Sequence, residues 1–240
     1  MINTAFVPDI TAYPGKFFVF EGIDGSGKTT CITGIEQYLK NKGHDVVTTL
    51  EPNKEFGLRD LIKDKLIAQG SKSSVRTDLL AFSLDRSLHL DKGVMPWLEQ
   101  GKIVLSDRYY MSTIAYQGYL QHRYSADRDF SDAVMTMQKM FFPDPNYIFF
   151  LDVDPKIGLE RTSKRALLDK FEKLDLQEKL AYAYRDMAGK YGSKSFREIK
   201  LIDANKSPEE VQQKLLKYCK ISLVYEFRTR KEKRVLSSAS

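Results

Sequence analysis

Residues 22–29 read Gly-Ile-Asp-Gly-Ser-Gly-Lys-Thr, the spacing G-x-x-x-x-G-K-T. No other segment constrains the chain as much. The octapeptide follows an apolar, strand-like run, Lys16–Glu21, and precedes a helical pattern, Lys28–Lys42, stopped by Gly43. Glycines let a backbone wrap closely around an anion, and the first N–H groups of the following helix then point at it. Average glycine usage gives such a match by chance in about one per cent of chains of this length. The strand–loop–helix context therefore decides for a phosphate-binding loop over a bare glycine-rich turn. Lys28 is expected to reach the β- and γ-phosphates of a nucleoside triphosphate, and the Thr29 hydroxyl to ligate Mg²⁺. The candidate triphosphate residues are Gly22, Asp24, Gly25, Ser26, Gly27, Lys28, Thr29 and Thr30.

The rest of the chain alternates short apolar runs with helical patterns. Asp45–Glu51, rich in Val and Thr and stopped by Pro52, is a second strand candidate. Lys102–Asp107, Tyr147–Asp154 and Phe196–Asp203 are three more, and Pro143-Asp144-Pro145 breaks the chain ahead of the fourth. Gly57–Ala68, Val75–Gln100, Leu167–Tyr191 and Pro208–Lys220 carry helical patterns, the last with proline in its first turn. This alternation implies right-handed crossovers and a five-stranded, mostly parallel sheet with helices on both faces, a three-layer α/β fold of the P-loop NTPase type. No repeat or low-complexity linker divides it. One domain over residues 1–221 is expected, with its core at about 16–218.

Composition excludes several classes. Hydrophobic residues make up 42% and charged residues 29%, ordinary for a soluble globular domain. No apolar run approaches the roughly 20 residues of a membrane span, and the N-terminus lacks the basic head and apolar stretch of a signal peptide. A cytoplasmic protein with no membrane contact is expected. Cys31 and Cys219 match no metal or redox spacing. The last thirteen residues carry +4 of the net charge of +6, leaving only +2 for the body. Contact with nucleic acid is therefore expected, if anywhere, from the basic tail at 222–240, which otherwise reads as a solvated flexible segment.

A phosphate loop alone does not separate GTPases, ATPases and kinases. The N-K-x-D segment that reads guanine is absent: Asn41-Lys42, Asn53-Lys54 and Asn205-Lys206 all lack the aspartate. Ile103-Val104-Leu105-Ser106-Asp107 reads as the strand that brings a carboxylate to the metal, making Thr29 and Asp107 the metal candidates. The next residue is Arg108, where hydrolytic ATPases commonly carry a glutamate. An arginine stays protonated and is a poor base for water, but its planar fork clamps a second phosphate. Two phosphates held end to end suit phosphoryl transfer, in which positioning and charge neutralisation dominate. Arg161 and Arg165, four apart, share a helix face. They are either a solvated basic face or fingers for the transferring phosphate, which supply on the order of 10³–10⁵ in rate in related systems.

The motif string resembles the thymidylate kinase family. Phe20-Glu21-Gly22 through Lys28-Thr29-Thr30 looks like its first motif, and Leu79-Leu80-Ala81-Phe82-Ser83-Leu84-Asp85-Arg86 is similar to its base-binding helix. Asp107-Arg108-Tyr109 followed by Ala115-Tyr116-Gln117-Gly118, then Leu151-Asp152-Val153-Asp154-Pro155, the arginine segment and Ile202-Asp203-Ala204 come in family order, covering about residues 16–218. The resemblance implies transfer of the γ-phosphoryl group of ATP to dTMP, with Mg²⁺, by a homodimer. It implies that Phe82 stacks on thymine, Arg86 reads a base carbonyl, and Ser112 and Thr113 line the base pocket. Asp24 then takes the deoxyribose 3′-hydroxyl, Arg108 the dTMP phosphate, and Tyr116 packs at the sugar. The Ala204–Lys206 loop lies against adenine. Lys28, Arg108, Arg161 and Arg165 are the catalytic candidates, the last two in a lid at about 159–172.

Three departures bear on the site. Some members carry an arginine inside the phosphate loop, where this chain has Gly25; it resembles the class whose catalytic arginines sit in the lid. Asp169-Lys170-Phe171-Glu172 has lysine where D-R-x-E is frequent. Leu50-Glu51-Pro52-Asn53-Lys54 lacks the arginine of the bacterial R-E-P-G-G-T segment, leaving Lys54 or Arg59 to help hold the monophosphate. The tail and these departures are similar to divergent members carried by large DNA viruses. The competing readings are a deoxynucleoside or other nucleoside-monophosphate kinase, a nucleic-acid-stimulated P-loop ATPase, and a silent P-loop scaffold.

Overall fold

The computed structural model describes residues 7–55, 58–68, 71–120, 128–162, 173–191 and 199–220. Its centre is a five-stranded sheet of β1 (Lys16–Glu21), β2 (Val46–Leu50), β3 (Ile103–Asp107), β4 (Tyr147–Asp152) and β5 (Ile199–Asp203) in the order β2-β3-β1-β4-β5. Every pairing is parallel, so the expected mostly parallel sheet is wholly so. β1 lies between β3 and β4, with Phe18 opposite Leu105 on one side and Tyr147 on the other. All six of its residues are buried, because helices cover both faces of a central parallel strand. Phe17, Phe18, Val19 and Phe20 join β3 and β4 in one continuous apolar core.

The helices are α1 (Lys28–Asn41), α2 (Arg59–Leu61), α3 (Val75–His89), α4 (Met95–Glu99), α5 (Tyr110–Thr113), α6 (Arg128–Phe141), α7 (Pro155–Thr162), α8 (Leu174–Tyr191) and α9 at 208–220. α2 and α5 continue into wider π-type turns at Ile62–Ile67 and Ile114–Leu120. The single helix expected over Val75–Gln100 is interrupted by another such turn at Leu90–Val94. Pro96 at the start of α4 explains the break: it has no N–H for the helical ladder. Ser74 caps α3 by accepting the Thr77 N–H at 3.1 Å.

Sequence reading placed no element between β3 and β4, where α5 and α6 lie. The inward face of α6 includes Ser131, Val134, Met135 and Gln138, an amphipathic pattern that sequence reading passed over. β4 ends at Asp152, two residues earlier than expected, because the chain turns there into α7. Arg165, the Asp169–Glu172 segment, most of the expected lid and the tail at 222–240 lie outside the described residues. No helix among the described residues is long and apolar enough to cross a membrane.

Candidate active site

Parallel α/β sheets bind ligands at the carboxyl ends of their strands. Here the loops after β1, β2 and β3 meet there around a cleft of about 490 Å³. The phosphate loop forms its floor. Gly22, Gly25 and Gly27 take φ of 145°, 75° and 90°. Gly27 is also the N-cap of α1, and no side chain satisfies the first N–H groups of that helix. A phosphate seated there would take both the free donors and the positive end of the helix dipole. The Lys28 ammonium donates to the Gly22 and Ile23 carbonyls at 3.1 Å each, bent back across the loop. Burial, then the nearby Arg108 charge, pulls its pKa below the ordinary lysine value. The Thr29 hydroxyl donates to Asp107 Oδ2 at 3.2 Å. These are hard oxygen donors of the kind Mg²⁺ takes in small number, keeping water and substrate phosphates for its other positions. No set of three or more His, Cys, Asp or Glu residues suited to a metal ion occurs among the described residues.

Arg108 forms the facing wall. Its φ of 75° lies in the left-handed region that side chains avoid, so its surroundings must over-determine it. Its N–H donates to Phe20 O at 2.9 Å and its carbonyl accepts the Ser106 hydroxyl at 2.8 Å. Behind it sits the fully buried Glu21. That carboxylate accepts the Tyr109 N–H (2.8 Å), the Ser112 N–H (3.1 Å), the Ser112 hydroxyl (2.6 Å) and the Tyr184 hydroxyl (3.1 Å). Burial raises the Glu21 pKa, against the Arg108 charge and the Ser112 and Tyr109 hydrogen bonds, which lower it. The Arg108 guanidinium donates to Asp24 Oδ1 at 2.6 Å, Ser112 Oγ at 3.1 Å, Gly22 O at 3.2 Å and the Tyr116 and Tyr184 hydroxyls at 3.3 and 3.4 Å. Burial opposes its charge, yet Tyr116, Asp24, Tyr184 and Asp107 hold its pKa above the usual arginine value.

The deep end of the cleft is a polar pocket with an aromatic wall. Phe82 lines it, half-buried. Arg86, only 1% exposed, lines it as well. Its Nε and Nη2 reach Glu51 Oε2 at 2.8 Å each, while Nη1 donates to Gln138 Oε1 at 2.7 Å and Thr113 Oγ1 at 3.1 Å. Glu51 Oε1 in turn meets His89 Nδ1 at 3.1 Å. The Arg86 fork is thus fixed, with one Nη2 hydrogen outside these contacts. Gln117 is a further residue of this wall that sequence reasoning passed over. It is 1% exposed, and its Nε2 has no hydrogen-bond partner although it lines the cleft. A buried amide donor left unpaired is costly, and a ligand acceptor would satisfy it.

The structure brings almost all the sequence candidates to this one cleft: Asp24, Gly25, Gly27, Lys28, Thr29, Thr30, Phe82, Arg86, Asp107, Arg108, Ser112, Thr113, Tyr116 and Arg161 line it. Gly22 and Ser26 do not. Gly22 lies behind the loop, where a Cβ would come within 2.7 Å of Leu151 O. Arg161 donates to Gly25 O at 3.3 Å. Lys54 is not in the lining, whereas Arg59 is, joined by Lys63 one helical turn on. The Ala204–Lys206 loop stands apart from this cleft, with Asn205 Oδ1 accepting the Asp154 N–H at 2.8 Å.

The family model for thymidylate kinase matches residues 20–215. The chain belongs to the thymidylate kinase family. Among relatives, it is 35% identical over 214 residues to a probable thymidylate kinase of Pyrococcus abyssi, covering 88% of this chain and 98% of that protein. It is 35% identical over 199 residues to a thymidylate kinase of Geobacillus sp. (strain WCH70), covering 82% and 92%. A thymidylate kinase of Protochlamydia amoebophila is 33% identical over 219 residues, covering 87% and 93%. The thymidylate kinase match spans the phosphate loop, the Arg108 wall and the Phe82 pocket together.

Proposed function

We propose that this chain is a dTMP kinase that moves the γ-phosphoryl group of ATP onto dTMP, yielding dTDP and ADP for dTTP synthesis. One observation carries the reading. The cleft that holds the phosphate loop also holds, on its facing wall, a braced arginine beside a pocket whose aromatic wall and amide and guanidinium donors suit thymine. The ATP phosphates lie on the Gly22–Thr30 backbone with Lys28 along the β–γ bridge. The dTMP phosphate takes the Arg108 fork, with Arg59 and Lys63 on the side where the family's usual arginine is missing. Asp24, paired with Arg108, accepts the 3′-hydroxyl, and Tyr116 packs at the sugar. Phe82 stacks on the base, a contact of about 1–3 kcal/mol. Arg86 and Gln117 donate to its carbonyls, beside Ser112 and Thr113.

Thr29 and Asp107 would hold Mg²⁺, which when bound neutralises charge on the β- and γ-phosphates. Lys28, Arg108 and Arg161, with Arg165 from the lid, supply the remaining positive charge where it develops in transfer. The Ala204–Lys206 loop lies against adenine. A homodimer would cover Leu80 and Leu84 of α3 and Met140 and Phe141 of α6, large apolar residues left 44–56% exposed. The enzyme acts in the cytoplasm, in keeping with the free thiols of Cys31 and Cys219. Any contact with nucleic acid would come from the basic tail at 222–240. Turnover on thymidine, dTMP, dUMP, CMP and AMP, read as ADP release, tests the assignment. The expected acceptor is dTMP. Turnover of thymidine without dTMP would replace it with a nucleoside kinase.

A further inference from the structure

Helix α7 meets the phosphate loop backbone to backbone. A Cβ at Gly25 would lie 2.0 Å from Gly158 O, and a Cβ at Gly158 would lie 2.7 Å from Asp24 O. Both separations are shorter than real side chains tolerate, so only a pair of glycines permits this approach. Gly158 and Arg161 are three apart on α7 and therefore share a face. That face lays Gly158 against the loop at Gly25 and lets Arg161 donate to the Gly25 carbonyl at 3.3 Å. The helix is anchored at its start, where Asp154 Oδ1 accepts the Lys156 N–H at 2.8 Å. Its height above the loop is then set by Gly158.

We propose that Gly158 is a positioning residue for phosphoryl transfer: by seating α7 on Gly25 it sets the reach of the Arg161 guanidinium over the phosphate loop. The same contact leaves no room for a side chain at position 25, so a loop arginine and this seating exclude each other. The proposal rests on the reading of Arg161 as a group that touches the transferring phosphate. Guanidinium placement matters steeply, since a displacement of about 1 Å can cost on the order of 10² in rate.

The test is a double-mutant cycle on the full-length chain with Arg161→Ala, Gly158→Ala and the pair, measuring kcat and the dissociation constants of dTMP and of a non-hydrolysable ATP analogue. Arg161→Ala is expected to lower kcat about 10²-fold, and Gly158→Ala by tenfold or more, with both dissociation constants within twofold of the parent. The pair is expected to be no slower than Arg161→Ala alone. Gly189→Ala on α8, where a Cβ meets nothing within 4 Å, controls for a helical glycine as such and should leave kcat unchanged. If Arg161→Ala keeps full kcat, the reading of Arg161 fails and the proposal with it. If Arg161→Ala is slow while Gly158→Ala is not, the proposal alone fails. Additive losses, or weakened nucleotide binding by Gly158→Ala, mean that Gly158 supports the loop rather than the arginine, which also overturns it. Should Gly158→Ala not fold, Gly25→Ala probes the contact from the other side in the same cycle, with the same non-additivity expected and additive losses again overturning it.

Discussion

Two of the arginines that line the cleft, Arg108 and Arg161, are held in opposite ways. Arg108 donates to five oxygens from the phosphate loop, α5, the π-type turn after it and α8, and a fully buried carboxylate fixes the backbone around it. Among the described residues, Arg161 makes one hydrogen bond, to a loop carbonyl at 3.3 Å, from the last turn of an eight-residue helix. On the proposed roles, the acceptor side is organised before a nucleotide arrives, while Arg161 is left with few bonds to hold it away from the phosphate that moves. A group that must recognise gains from rigidity. A group that must track charge between two positions is served by few competing bonds.

The sharpest way to break this contrast is at the loop lysine, which belongs to neither wall. Lys28→Ala removes the ammonium proposed to lie along the phosphates and leaves the Arg108 brace untouched. We expect kcat to fall by about 10²–10³-fold, the size of one lost electrostatic stabiliser. The dTMP dissociation constant should move less than threefold, as titration calorimetry would report. Lost dTMP affinity with unchanged turnover would mean that the two sides are not separate.

Arg108→Ala comes next. It should lower kcat/KM for dTMP by about 10²-fold, with KM carrying much of the loss, because the variant breaks the Arg108–Asp24 ion pair as well as removing the proposed phosphate fork. Arg108→Lys should recover only part of this, since an ammonium cannot make the bidentate contact. Steady-state kinetics with dTMP varied decide it, and an unchanged KM and kcat would remove Arg108 from the acceptor site.

The brace itself predicts a smaller effect. The Tyr184 hydroxyl meets Glu21 Oε2 at 3.1 Å, Ser112 Oγ at 3.0 Å and Arg108 at 3.4 Å. Tyr184→Phe removes these bonds and keeps the ring against Phe150. One such network member contributes about 1 kcal/mol, so KM for dTMP should rise roughly fivefold with kcat little changed. Equal loss in kcat would show that the brace serves the transfer step as well.

This brace was the part of the site that the chain's order concealed. The phosphate loop is local, and Arg108 announces itself by following Asp107 at a strand end. Both are contiguous signals, and the five strands around them were legible for the same reason. Glu21 lies 88 positions from the Tyr109 N–H it accepts, and at the end of an apolar strand it reads only as a strand terminus. Tyr184 is one aromatic on a helix patterned for the core. Gln117 hid in a π-type turn, where Tyr116 and Gln117 line the cleft side by side although α-helical spacing would part them. Lys63 was the readable miss. Its spacing of four from Arg59 places the two on one helical face, whereas the sequence pointed to Lys54 or Arg59 alone.

The smallest effect lies behind the base pocket, where the loop after β2 is tied down. Both Asp85 oxygens accept the Asn53 N–H, at 2.9 and 3.1 Å. Burial, with the Glu51 charge beside it, pushes the Asp85 pKa up to about 6, against the Asn53 hydrogen bond and the His89 and Arg86 charges. The folded state therefore holds this proton more tightly than the unfolded chain, whose aspartates titrate near 4. The stability gained from it is fully present below about pH 4 and is lost as the pH rises through about 6. Asp85→Asn removes the titration with little change of shape. The melting temperature of the parent should gain on that of the variant between pH 7 and pH 4, by a few degrees at most. The comparison must be between the two proteins, because the raised pKa of Glu21 bends both curves in the same direction. Parallel curves would place the proton uptake wholly at Glu21, leaving the base pocket as rigid in its charge as the Arg108 wall is in its bonds.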